Sequence, residues 1–190
     1  MSLLLIRHGR SAHPPPSAWL DRDGITRWLA DYDRAGIHDD DAPPPALVDE
    51  VRLAAVLAAS DMPRALASAA RLCPGREVAC SPLVREVGLP IPAWLPGRAP
   101  LAVWALGIHA TWIFDLARRR AEPAEVGPRV RERAARCAAR CAAADGGTVA
   151  VVTHGVMRRL LARELAAAGW RGAPGRRSYA HWSVWRMAPP

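Results

Sequence analysis

The sequence contains no lysine; all 26 of its basic side chains are arginine. Against 18 acidic residues this leaves a formal net charge of +8 and a pI near 10.7, a balance that invites a nucleic-acid partner. The arginines are scattered through the chain, however, and their uniform use is read as genome composition rather than function. Their one concentration, Arg129, Arg133, Arg136 and Arg140, falls at helical spacing and reads as a solvated helix face rather than a phosphate-backbone binder. Nucleic acid is therefore disfavoured as a partner. Long apolar runs are missing too: no stretch reaches the roughly 18 consecutive apolar residues of a membrane helix. Residues 1–6 lack the charged start and long apolar core of a signal peptide. These absences lead to the expectation of a soluble, cytoplasmic protein without membrane contact.

Cysteine is sparse, with four residues in 190. A chain of this length buries a core without a disulfide framework. Cys137 and Cys141 continue an apolar stripe with Val126, Val130 and Ala134, the buried face of a helix. Cys73 and Cys80 flank a Pro-Gly turn with no ligand partners nearby, so core packing is favoured over zinc. The expectation is one domain over residues 1–190, without internal repeat or disordered tail.

What is present is an alternation of short apolar runs and helical patterns. A strand at about 2–7 leads through a Pro-rich loop to a helix in which Ile25, Trp28, Leu29 and Tyr32 repeat at helical spacing. "PPPALVDEVRLA" starts a second helix, with its prolines at the entrance where they do least harm. A strand at 56–60 precedes the helix "MPRALASAARL", and 76–81 reads as a third strand. From Pro82 to about Gly107 the pattern breaks into a Pro-, Gly- and Trp-rich segment, read as a lid over about 82–112. Helices are expected near 104–120 and 123–143, then a strand in "GGTVAVVTHG" and a helix stopped by Gly169. An edge strand over 178–187, "SYAHWSVWRM", closes the series. The expected fold is α/β, a three-layer α/β/α sandwich with a mostly parallel sheet.

Two of the strands share one grammar: "LLLIRHG" and "VAVVTHG" each run from buried apolar residues into a polar residue, histidine and glycine. As parallel neighbours they would bring His8 and His154 together at the carboxyl rim of the sheet, where ligands bind in such folds. Arg7 beside His8, and Arg64 after another strand, would repel a cation. No metal and no cofactor are expected. Two guanidiniums and two imidazoles make a pocket for a phosphoryl group, to which the open backbone N–H groups of Gly9 and Gly155 could add.

The "RHG" of 7–9, Arg64 in "ASDMPRALASA", Glu86 in "PLVREVGLP" and His154 in "VVTHG" resemble, in order and spacing, the histidine phosphatase superfamily, also called the phosphoglycerate mutase-like family. The resemblance spans nearly the whole chain. It implies that His8 is the nucleophile, that Arg7, Arg64 and His154 hold the phosphoryl oxygens, and that Glu86 is the proton donor; as a donor to that charge, His154 would be best protonated. Arg64 as an exposed helix residue and Glu86 in a surface pair with Arg85 are the plain alternatives. His13, His38, His109 and His181 read as structural or peripheral. Many members of the family carry an asparagine soon after RHG, where this chain has Ser11-Ala12-His13-Pro14-Pro15-Pro16; Ser11 could keep a hydroxyl contact. The stretch after Glu86 is unlike that of the mutases. The implied function is a phosphatase that forms a phosphohistidine on His8 and acts on a small phosphometabolite. A phosphoprotein phosphatase and a non-catalytic anion-recognition module are the alternatives.

Overall fold

Leu3, Leu4, Leu5 and Ile6 are at most 1% exposed, as expected of a strand covered on both faces. The computed structural model describes residues 2–88, 90–95, 97–118, 147–172 and 179–190, with isolated positions at 132, 135, 136, 139 and 143. In it β1 (Ser2–Arg7) is followed by α1 (Arg22–Arg34), α2 (Pro45–Arg52), β2 (Val56–Ser60), α3 (Pro63–Leu72) and β3 (Ala79–Ser81). A 3-10 turn, Pro82–Val84, then leads toward α4 (Leu101–Arg118), β4 (Thr148–Thr153), α5 (Gly155–Ala167) and β5 (Val184–Met187). The stripe containing Cys137 and Cys141 lies outside the described residues; Cys73 is buried and Cys80 exposed, both as free thiols.

The strands form one sheet in the order β3-β2-β4-β1-β5. All neighbours are parallel except β5, which runs antiparallel to β1. Because side chains alternate along a strand, the continuous apolar runs feed two cores. Leu3, Leu5, Val149 and Val151 pack with Met157, Leu161 and Leu165 of α5. Leu4, Ile6, Ala150 and Val152 pack with Leu47 and Val51 of α2 and Ala65, Ala69 and Leu72 of α3. Burying each leucine or isoleucine stabilises the fold by about 2 kcal/mol. Helices on both faces of a mostly parallel sheet make the three layers expected.

A third apolar cluster stands apart from the sheet. Ile25 of α1, Ala99, and Trp104 and Ile108 of α4 form its centre, with Trp28, Leu29 and Leu101 packed against it. Leu20 and Ala99 exchange backbone hydrogen bonds of 2.9 Å and tie the loop after β1 to this cap. Part of the segment expected to be irregular is helical here. α4 begins at Leu101, with Pro100 accepting the first N–H groups, and the fully buried Trp104 donates its indole N–H to the Leu20 carbonyl at 2.8 Å. Among the described residues no helix is long and apolar enough to cross a membrane.

Candidate active site

Register decides what meets at the rim of the sheet. Arg7 lies opposite Thr153, and the next backbone N–H, that of His8, donates to the Thr153 carbonyl at 3.0 Å. His8 and His154 thus leave adjacent parallel strands at the same level, with ring centroids 5.0 Å apart. β2 ends at Ser60 on the far side of β4 and leads into α3, whose first turn carries Arg64. β3 runs into the 3-10 turn, where the Val84 carbonyl accepts from Thr153 Oγ1 at 2.7 Å. That bond holds the strand that delivers Glu86 two residues later.

A hydrogen bond assigns the His8 proton. His8 Nδ1 sits 2.7 Å from the Gly9 carbonyl, which can only accept, so Nδ1 carries the proton and Nε2 the free lone pair. Burial lowers the His8 pKa to about 3, with Arg64 and Arg7 adding to the effect against the Gly9 hydrogen bond. The ring is neutral near pH 7. His154 is pushed down to about 2, first by burial and then by His8 and the two arginines. The shift makes the His154 ring neutral near pH 7, where its expected role as a donor to the phosphoryl charge had suggested a protonated one. It can donate while neutral. Ser60 Oγ accepts from the Met62 N–H at 3.2 Å and shares a hydrogen bond of 2.9 Å with His154 Nε2. His154 Nδ1 is a buried atom without a partner among the described residues.

Arg64 is 2% exposed, which removes the reading of it as an exposed helix residue. Its guanidinium lies over the Tyr32 ring at 4.5 Å and donates to the Tyr32 carbonyl at 3.1 Å and to Asp33 Oδ1 at 3.2 Å. Arg7 donates through Nη1 to the Tyr179 carbonyl. The Nε atoms of both arginines are buried and without partners among the described residues, so each keeps a charged donor for an anion.

Glu86 turns inward. Arg85 makes its bidentate pair with Asp61, at 2.9 and 2.7 Å, and not with Glu86. The half-buried Glu86 carboxylate caps the start of α5: Oε1 accepts from Met157 N at 2.8 Å and Val87 N at 3.2 Å, and Oε2 from Val156 N at 3.2 Å. Burial pushes its pKa above the usual carboxylate value, and the three N–H groups pull partly against it. Arg7, His8, Arg64 and Glu86 line one cavity of about 1010 Å³, with Gly88, Leu101 and Ile108 of the lid region on its wall. His154 is fully buried beside His8.

The expected open donor at Gly9 is not free: its N–H is occupied by Ser68 Oγ at 2.9 Å. Beyond Gly155, the N–H groups of Val156 and Met157 are taken by Glu86. Gly9 is needed for another reason: a Cβ there would lie 2.4 Å from the Trp182 ring and 2.5 Å from Asp41. Ser11 turns its hydroxyl to the His13 N–H at 3.3 Å. His181, read as peripheral, lies with its ring 5.7 Å from that of His8, and burial and Arg7 lower its pKa. Ser60, Ser68, Asp33 and Asp41 also belong to the surroundings of the site. Ser60 ends β2; Ser68, Asp33 and Asp41 follow no strand-end motif, and only their contacts reveal them. Among the described residues no group of three His, Cys, Asp or Glu is placed to hold a metal ion.

A family model for the histidine phosphatase superfamily (branch 1) matches residues 3–187. The chain belongs to this superfamily. Among solved structures, this histidine phosphatase superfamily member is similar to a phosphoserine phosphatase from Entamoeba histolytica in complex with 3-phosphoglyceric acid. The identity is 16% and the TM-score 0.50, over 87% of this chain and 80% of that one. It is also similar to the alpha-ribazole phosphatase of Shigella flexneri, with 21% identity and a TM-score of 0.46 over 87% and 79% of the two chains. A mycobacterial glucosyl-3-phosphoglycerate phosphatase gives 19% and 0.48 over 100% and 99%. The Entamoeba likeness concerns the fold. No curated protein matches the sequence.

Proposed function

We propose that the protein hydrolyses a phosphomonoester, without a metal ion, through a phosphohistidine on His8. The observation that carries this reading is the state of His8: a neutral ring whose Nδ1 proton is held by the Gly9 carbonyl, leaving Nε2 as the nucleophile. Nε2 attacks phosphorus, a P–N bond forms, and the bond to the ester oxygen breaks. Arg7, Arg64 and Nδ1 of His154 hold the phosphoryl oxygens, where charge is redistributed in the transition state. Glu86 gives its proton to the departing oxygen. Oε2, with one N–H contact against two on Oε1, is the oxygen that carries it. In the second step the Glu86 carboxylate takes a proton from water, the water oxygen attacks phosphorus, and the P–N bond breaks to release inorganic phosphate and neutral His8.

Steady release of phosphate from p-nitrophenyl phosphate, undiminished by EDTA, is expected, and vanadate should compete for the pocket. A quench that avoids acid, followed by mass spectrometry, should find phosphate on His8, and His8→Ala should abolish turnover. Loss of activity on chelation, restored by one divalent metal, refutes the mechanism. Absence of turnover across a broad phosphoester panel, with phosphate still bound, would make the protein an anion-recognition module instead.

A further inference from the structure

The cavity is far larger than a phosphoryl group. At about 1010 Å³ it stands at the upper end of pockets that enclose whole organic ligands, and most of it lies beyond the reacting phosphorus. Its walls there come from two facing helices. α1 contributes Ile25, Trp28 and Leu29, and α4 contributes Leu101, Ala105 and Ile108, each set at the three- and four-residue spacing of one helix face. Five of these six belong to the apolar cluster of the cap; Ile25 and Ile108 are buried within it, and the half-buried Trp28, Leu29 and Leu101 are the apolar surface it leaves open.

An aromatic ladder leads into it from the phosphate end. Arg64 lies over Tyr32, and Tyr32 stacks on Trp28 at 5.4 Å with an interplanar angle of 21°. The indole N–H of Trp28 is occupied by the Pro14 carbonyl at 3.1 Å, so the ring offers only carbon to an occupant. The charged groups along the wall largely neutralise one another: Asp61 is paired with Arg85 and Asp33 with Arg64. Arg34, His109 and Arg159 also line the cavity and are exposed, with Arg34 paired to Asp31. A hydroxylated or carboxylated leaving group laid between α1 and α4 would leave its hydrogen bonds unmade. An apolar one would gain by burial.

We infer that the substrate is the phosphate monoester of a hydrophobic alcohol, its apolar body seated between α1 and α4 with the phosphate on His8. This deepens the hydrolase reading proposed above and rests on it. The test is a series of straight-chain alkyl phosphates from ethyl to octyl. Their leaving groups share one acidity, so chain length reports on the trough and not on the chemistry. The value of kcat/KM should climb about threefold to fourfold per added methylene until the trough is filled. Glycerol phosphate, phosphoserine and 3-phosphoglycerate should fall at least tenfold below alkyl esters of similar size. Leu101→Asn should flatten the climb, and Ala105→Leu should end it at a shorter chain. The same chain-length series of alkylphosphonates, which cannot be hydrolysed, measures the trough by Kd on the full chain. A kcat/KM that is flat or falling with length, or polar esters that outrank alkyl ones, overturns the inference. If no ester turns over, the phosphonates decide. A Kd that tightens with chain length supports the trough while refuting the hydrolase reading, and a flat Kd overturns the trough itself.

Discussion

In the mechanism proposed above, Glu86 serves two purposes that pull its proton affinity in opposite directions. As the cap of α5 it accepts from Val156 and Met157, which favours the carboxylate; as an acid it needs the proton that burial favours. The two can be separated. Glu86→Gln keeps an oxygen for the Met157 N–H and should preserve stability, whereas Glu86→Ala should cost about 1–2 kcal/mol in a denaturant melt. Both should slow alkyl phosphates by about two orders of magnitude or more, and p-nitrophenyl phosphate less, because nitrophenolate departs with little help from an acid. Undiminished rates on both substrate types would remove Glu86 from the chemistry. Arg64→Ala should lower kcat/KM about tenfold to hundredfold through loss of charge-assisted bonds to the phosphoryl group; wild-type kinetics would show that the buried guanidinium serves only Tyr32 and Asp33. The paired histidines were legible in the sequence because each follows an apolar strand directly; Arg64, in the first turn of the helix after β2, was legible only through the resemblance. His181 was not, since it is 173 positions from His8 and no strand precedes it to mark a rim position. A donor role alone suggested a charged His154, and the sequence does not show the burial that lowers its pKa.

At the scale of elements, β1 and β4 were readable because strands covered on both faces become unbroken apolar runs. β3 is shorter than its apolar pattern, Ala79–Ser81 rather than 76–81, since as an edge strand it has only β2 to pair with. α4 was partly hidden because apolar residues are spread around it, Val103 and Leu106 exposed and Trp104 and Ile108 buried, so no single stripe marks its period. The turn after β1 is held by an element that no local pattern announces, residues 179–183. Trp182 adopts a positive φ of 60°, its indole donates to Asp41 Oδ2 at 2.8 Å, and its backbone N–H reaches the Arg7 carbonyl at 3.2 Å. Gly9→Ala pushes a methyl group into that contact and should cost about 1–3 kcal/mol, with a fall in kcat as the turn carrying His8 shifts. A thermal melt and steady-state rates check both; an unaffected variant would show that Trp182 and Asp41 yield easily.

For the whole molecule, the two neutral imidazoles set a pH response. Burial is the main cause that brings His8 to about 3 and His154 to about 2 from an ordinary 6.5. An unfolded chain takes up both protons as the pH falls through 6.5, while the folded protein refuses them until near 3 and 2. The unfolded state binds more protons across that window. The stabilisation is fully present above about pH 6.5 and is lost as the pH falls, at up to about 1.4 kcal/mol per pH unit for each histidine. Denaturant midpoints should drop steeply from pH 6.5 to 4, and more gently in His8→Ala. A midpoint that stays level over this range would show that the rings take up protons while folded.

The place of β1 in the sheet has a further consequence, one of timing. Its partners are β4, with Ser2 against Thr148, and β5, with Leu3 against Met187. While the chain is being made, β1 therefore waits with nothing to pair with until β4 and β5 have been synthesised. Its turn, with His8, has no walls before then. Contacts of such long sequence separation are also slow to find, so the turn that carries His8 is among the last parts of the described fold to take its place.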